Sequence, residues 1–141
     1  MKIVLDTNVL LISIPKFSKY RPIFDALLSN KFKLSVSNEI LSEYREILTQ
    51  KTTSLLANNV AELLLSLVNV EKTEVYFRWN LINIDADDNK FVDCAIASSA
   101  DFIVSNDKHF NVLNSVVFPK IQVIKIDEFV DILSTDRKSV V

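Results

Sequence analysis

Glycine is absent from the 141 residues, where about 7% is usual. Phosphate-binding loops of the P-loop and Rossmann kinds need backbone without a Cβ, so both are excluded. Tight turns fall instead to Asn, Asp, Ser or Lys, of which Asn tolerates the left-handed region best. A single cysteine, Cys94, excludes an internal disulfide and a cysteine-based zinc cluster, and gives no sign of an oxidising compartment. A single histidine, His109, excludes any mechanism that needs two within the chain. Long apolar runs are also missing. The longest, near residues 63–68, is far short of a membrane span. The opening MKIVLD lacks a signal-peptide layout, because only three apolar residues separate the charge of Lys2 from Asp6. A cytoplasmic chain is the expectation. Sixteen basic against eighteen acidic residues give a net charge of −2, which argues against holding nucleic acid by bulk charge alone.

What is present describes one domain over residues 1–141. The composition is 49% hydrophobic and 24% charged, enough apolar material for a real core. Residues 2–5 are a short apolar run ending in Asp6, as a buried strand would be. Residues 7–14 suggest a short helix closed by Pro15, and Pro22 sits where the first turn of a second helix accepts it. Residues 32–36 alternate as a strand with one wetter face. Ser37 or Asn38 can cap a helix carrying Ile40, Leu41, Tyr44, Ile47 and Leu48, and another helix is expected from about Thr53 to Asn69. Residues 73–77 read as a strand. After the acidic turn 85–88 come a helix over about 89–99, a strand over 102–105, a short helix over 106–113 and a strand over 121–126. A last helix opens at Asp127 and runs through Leu133, with a frayed end beyond. Strands alternating with helices predict an α/β fold of three layers, a mainly parallel sheet flanked by helices. Sites in such folds form at the carboxyl ends of the strands.

Four acids stand out by position. Asp6 follows the first strand directly, and Asp107 lies two residues beyond the strand at 102–105. Asp93 interrupts a largely apolar helix, and Glu43 lies within the helix around residues 40–48. Each has a plainer reading: Asp6 and Asp107 as helix caps, Glu43 as a solvated residue, Asp93 as either. Asp85, Asp87 and Asp88 read as turn and cap residues, His109 as structural or exposed, and Cys94 as a small buried apolar group. Taken together the four acids mean more. Converging carboxylates repel unless a cation compensates them, and oxygen ligands without cysteine or histidine select the hard ions Mg²⁺ or Mn²⁺. Such ions activate water and clamp phosphates, which points to phosphodiester hydrolysis.

Four blocks then carry a family resemblance. Leu5-Asp6-Thr7-Asn8-Val9-Leu10, Ser37-Asn38-Glu39-Ile40-Leu41-Ser42-Glu43-Tyr44, Asp88-Asn89-Lys90-Phe91-Val92-Asp93-Cys94-Ala95 and Ala100-Asp101-Phe102-Ile103-Val104-Ser105-Asn106-Asp107-Lys108-His109-Phe110 stand in that order. The set resembles PIN domains, most closely the VapC-like toxins of toxin–antitoxin pairs, over about residues 1–133. The resemblance implies a ribonuclease that cuts single-stranded RNA, with Asp6, Glu43, Asp93 and Asp107 as its acids. It implies one or two Mg²⁺ or Mn²⁺ ions, with Asp6, Asp93 and Asp107 as ligands and Asn8 and Ser105 in support. Glu39 shares the second block with Glu43, and Glu43, which precedes Tyr44, matches the block better. Many relatives have Gly where this chain has Ser99 and Asn106, a departure that touches backbone geometry and leaves the four acids intact. A small antitoxin is the implied partner. The helix over residues 54–68 is apolar beyond what one buried stripe needs, so it is either core or, where exposed, a surface for that partner or for a second copy of the chain. The loop Lys16-Phe17-Ser18-Lys19-Tyr20-Arg21 interleaves cations with aromatics, as RNA-contacting loops do, which makes Lys16, Lys19 and Arg21 the expected RNA contacts. The alternative is a non-catalytic PIN-like module that only binds RNA or protein. A phospho-receiver or aspartyl-phosphate phosphatase ranks below both, since Asn8 stands where the phosphatase needs its second Asp.

Overall fold

The computed structural model describes residues 1–139, with side chains through Thr135. Five strands, β1 (Lys2–Leu5), β2 (Lys33–Val36), β3 (Val70–Lys72), β4 (Phe102–Val104) and β5 (Val123–Ile124), form one sheet in the order β3-β2-β1-β4-β5. Every pairing is parallel. β1 is buried on both faces from Ile3 to Leu5, as a central parallel strand must be. The expected α/β architecture is therefore the one observed.

Six α-helices flank the sheet: α1 (Thr7–Ser13), α2 (Arg21–Leu28), α3 (Asn38–Lys51), α4 (Ser54–Ser66), α5 (Asn89–Ser98) and α6 (Ile126–Ser139). Local chemistry sets their ends. The Ser37 hydroxyl accepts the Ile40 N–H at 3.2 Å and opens α3. Thr53 does the same for α4 through the Leu56 N–H at 3.1 Å. Pro lies in the first turn of α2. With no glycine available, the left-handed backbone falls on Asn30, Asn80 and Ser99. Ser99, at φ 56° and ψ 43°, closes α5. α5 packs across β1, β2 and β4, while α3 packs on α1, α4 and α5.

Several boundaries differ from the sequence expectation, among them the helix expected to reach Asn69, which ends at Ser66. The strand expected at 73–77 lies earlier, at β3, because pairing with β2 runs over residues 70–72 and ends with the Thr73 N–H on the Val36 carbonyl at 2.7 Å; residues 73–85 then cross to α5 without regular structure. The helix expected at 106–113 is a 3-10 helix, Lys108–Ser115, and the strand expected at 121–126 pairs only through Val123 and Ile124. The last helix begins one residue early and continues beyond Leu133 to Ser139; of the frayed end expected there, residues 140 and 141 lie outside the described residues. No helix among the described residues is long and apolar enough to cross a membrane.

The chain adds β2 and β3 on one side of β1, then β4 and β5 on the other. This reversal leaves a crevice at the carboxyl ends of β1 and β4, where open parallel sheets place their ligands.

Candidate active site

Asp6 follows β1 directly. Its N–H donates to the Val104 carbonyl at 3.1 Å, which prolongs the β1–β4 pairing by one residue and fixes Asp6 beside Ser105. Asp6 occupies the N-cap of α1, yet its side chain makes no capping hydrogen bond. The Ser105 hydroxyl instead donates to Asp6 Oδ2 at 2.7 Å. The same Ser105 oxygen accepts the Asp107 N–H at 3.0 Å. One hydroxyl thus ties the acid after β1 to the acid after β4. Asp107 does cap, accepting the His109 N–H at 2.9 Å, and so opens the 3-10 helix.

Asp88 completes the group. It ends the acidic turn, occupies the N-cap of α5 without a capping bond, and shares a 3.0 Å contact with His109 Nδ1. Asp107 Oδ1 lies 3.4 Å from the same nitrogen. Asp85, Asp88 and His109 together bring three ligand atoms within 4.8 Å of one another. Glu43 arrives from α3 and is held by the Lys90 ammonium at 2.7 Å and by the Thr7 hydroxyl. A cavity of about 280 Å³ opens over Asp6, Asn8 and Asp107 and runs along α1 to Ile12.

The electrostatics describe a site under repulsion. Asp6, only 8% exposed, is held above its ordinary pKa of 3.8 chiefly by burial, with the charges of Asp107 and Glu43 adding to the rise; the Ser105 hydroxyl and the Thr7 N–H pull the other way. Asp88 is raised by burial, then by Asp107, Asp85 and Asp6, against the lowering effect of His109. His109 is raised chiefly by its hydrogen bond to Asp88; desolvation opposes the rise, and the charges of Asp107, Asp88 and Asp85 add to it. Tyr44, buried under the site, is raised well above the usual phenol value by burial, and donates to the Leu5 carbonyl at 2.6 Å, which fixes the end of β1. Cys94 is buried and its thiol is pushed up to about 11, so it is no nucleophile.

The structure thus brings Asp6, Glu43 and Asp107 together, with Ser105 between two of them and Asn8 at the cavity wall. It does not bring Asp93 to them. Asp93 is five residues beyond Asp88, a rotation of about 140° on a helix, so the two acids cannot face the same crevice. The Asp93 carboxylate accepts the Trp79 N–H at 3.0 Å, and the charges acting on it are Arg78 and Glu39. Glu39 lies on that same side, paired with Arg78 at 2.7 Å; of the two glutamates, Glu43 is the one beside Asp6. Arg21 also departs from expectation. Its guanidinium is engaged by the flanking helices, on Asp25 of α2 at 2.8 Å, on the Ile14 carbonyl at the end of α1 and over the Phe24 ring. Lys16 and Lys19 remain exposed, each lying over the ring of its neighbour, Phe17 or Tyr20. Asp88, Asp85, His109 and Lys90 were not singled out as site residues from sequence. The signal for Asp88 was its place at a helix start, where a capping role and a functional one look alike.

The family model described as PIN domain matches residues 2–109. The chain belongs to the PIN domain family. Solved structures share this PIN domain's fold at low identity. VapBC2 of Rickettsia felis, bound to a DNA fragment from its promoter, has a TM-score of 0.61 at 19% identity, covering 89% of this chain and 98% of that one. VapC20 of Mycobacterium tuberculosis, a sarcin–ricin loop cleaving toxin, has a TM-score of 0.60 at 16% identity, covering 81% and 96%. DNA-bound VapBC of Salmonella typhimurium has a TM-score of 0.60 at 16% identity, covering 89% and 98%. No curated protein matches the sequence of this PIN domain.

Proposed function

We propose that this PIN domain is a metal-dependent ribonuclease that cuts single-stranded RNA, and that it is the toxin of a toxin–antitoxin pair. The observation that carries the reading is the meeting of Asp6, Asp88 and Asp107 at the switch point of the sheet, with Asp6 and Asp88 making no capping bond and Glu43 close by. Membership of a nuclease family supports it, as do structures of the same fold that are described as VapBC complexes.

The donor set fits a hard divalent cation, Mg²⁺ or Mn²⁺: Asp85, Asp88 and His109 stand at ligand spacing, and the carboxylates of Asp6 and Asp107, whose charges act on Asp88, lie beside them. When bound, such an ion supplies a Lewis acid that activates water and neutralises charge on the phosphate. The chain's own residues prepare the site. Ser105 orients the Asp6 carboxylate through its hydroxyl and the Asp107 backbone through its lone pair. Lys90 holds Glu43 in place and offsets part of its charge. Asn8 lines the cavity next to Asp6. Lys16 and Lys19, with the 95% exposed Phe17 between them, are the RNA contacts beyond the cavity. α4 buries Ala57, Val60, Ala61 and Leu64 and exposes Leu55 and Leu65, so its outer face is an apolar surface for an antitoxin or a second copy of the chain. The chain's place of work in this reading is the cytoplasm, where its RNA substrate is.

The test is cleavage of unstructured RNA with Mn²⁺ and with EDTA, by wild type and Asp6→Asn side by side. Wild type should cut only with the metal. The Asn variant should lose about two orders of magnitude or more in rate, as expected when a group stabilising the transition state is removed. Equal rates in the two proteins, or cutting in EDTA, would reject the reading.

A further inference from the structure

A second cavity, of about 130 Å³, lies on the other side of α5, between Ser37, Glu39, Thr73, Arg78 and Asp93. Asn38, Glu39 and Lys90 line both this cavity and a neighbouring one that reaches Glu43, so the two adjoin on the way toward the switch point. Asp93 forms its floor and is only 3% exposed. One of its oxygens, Oδ1, accepts the Trp79 N–H. Among the described residues the other oxygen accepts nothing, yet it is not sealed off, so it faces the cavity. Arg78, the cation acting on it, is paired with Glu39 instead. A nearly buried carboxylate with one hydrogen bond and no ion pair is costly.

Fastening the crossing segment to α5 does not account for the second oxygen. Asn89 already clips that segment, binding the Ile82 N–H and carbonyl at 2.9 Å each. A carboxylate only accepts, so whatever meets Oδ2 must donate. Arg78 and Lys90 line the same cavity beside Glu39 and Glu74, and each is paired with a glutamate, Arg78 with Glu39 and Lys90 with Glu43. A nucleotide satisfies both signs, with phosphate for Arg78 and an amino group for Asp93. The Arg78–Glu39 pair is well exposed, and such pairs contribute little, so Arg78 can be recruited. The adjoining side chains suit the rest of a nucleotide. Tyr76 and Phe77 are 91% and 62% exposed, and Phe77 packs edge-on against Trp79 at 4.6 Å. Aromatic rings next to an arginine are what single strands stack upon.

We infer that the groove between α5 and residues 76–80 is a nucleobase pocket flanking the cleavage site, in which Asp93 selects a base carrying an exocyclic amino group, cytosine over uracil. The inference rests on the ribonuclease reading for its substrate. Cytosine offers its N4 amino group where uracil offers a carbonyl, and a carboxylate accepts from the first and repels the second. Asp93→Asn sharpens the consequence. Its amide oxygen still accepts the Trp79 N–H, while its NH₂ now points a donor into the pocket, so the preference should turn toward uracil.

The experiment measures binding of uncleavable 2′-O-methyl oligo(C) and oligo(U) in EDTA by fluorescence anisotropy, beside cleavage of the matching RNAs in Mn²⁺. Wild type should bind oligo(C) roughly tenfold tighter than oligo(U), and Asp93→Asn should abolish or invert that ratio. Tyr76→Ala with Arg78→Ala, both on exposed side chains, should weaken both oligomers about equally, because stacking and phosphate contact do not read the base. Equal binding of the two oligomers by wild type overturns the pocket and leaves the carboxylate to a basic side chain of a protein partner. An unchanged ratio in a folded Asp93→Asn protein also overturns it, as does undiminished binding by the double variant, which remains decisive if Asp93→Asn fails to fold. A cytosine preference in EDTA without cleavage in Mn²⁺ keeps the pocket and removes the ribonuclease reading; cleavage without the preference does the reverse.

Discussion

Asp6 is the residue on which the site turns, and its environment sets a pH dependence of definite sign. Burial and the neighbouring acids hold its pKa above 3.8 in the folded chain. A raised folded-state value means that the unfolded chain gives up this proton more readily. The stabilising contribution is therefore complete below the unfolded value and lost as pH rises through the folded one. Asn at this position keeps the acceptor for the Ser105 hydroxyl and removes the charge. In EDTA, Asp6→Asn and wild type should be about equally stable at the acid end. The variant should then become the more stable as pH climbs through and beyond the carboxylate range. Urea melts at a series of pH values check this, and a variant less stable than wild type at neutral pH would make Asp6 a structural acid.

α5 shows how an element redistributes its residues. Its two ends carry opposite problems: Asp88 opens it without capping, and Ser99 closes it in the left-handed conformation. That conformation disfavours a residue with a Cβ by roughly 1–2 kcal/mol. Ser99→Gly should stabilise the protein by about 0.5–1 kcal/mol once the extra freedom of the unfolded chain is subtracted. This corresponds to about 2–4 °C in melting temperature. Asn30→Gly should gain less, since Asn tolerates φ near 60° better. Both are measured by thermal melts. The same helix explains what was readable in the sequence. Strand ends carry their own address, so Asp6 and Asp107 could be placed from the apolar runs before them. Glu43 was singled out by the resemblance of its block, since helical spacing alone left it a solvated residue. A helix residue has an address only once its buried face is known. α5 is buried nearly all round, from Phe91 through Ala95, so its apolar pattern could not say that Asp88 faces the crevice and Asp93 faces away. Residues 73–77 were misread as a strand for a related reason: the crossing segment is fixed by Asp93 at Trp79 and by Asn89 at Ile82, not by any periodicity of its own.

At the scale of the whole molecule, the crowded acids should make the fold respond to divalent cations. Binding to the folded state alone stabilises by mass action, by about 2.7 kcal/mol at a hundredfold excess over the dissociation constant. Millimolar Mn²⁺ should raise the melting temperature of wild type by several degrees. Asp88→Asn should lose most of that rise, and Asp93→Asn should keep it. The opposite ranking would return Asp93 to the crevice. The sheet order has one more consequence, for the chain while it is being made. β1 lies between β2 and β4, and Ser105 stands 99 residues beyond the Asp6 it orients. At roughly 5–20 residues per second, Asp6 leaves the ribosome on the order of five to twenty seconds before its counterpart acid exists. During that interval β1 has only one of its two neighbours, and no crevice can form. A message broken anywhere upstream of the β4 codons yields a peptide with Asp6 and Glu43 but neither Ser105 nor Asp107. Such fragments hold only part of the acidic site, which is assembled late in synthesis.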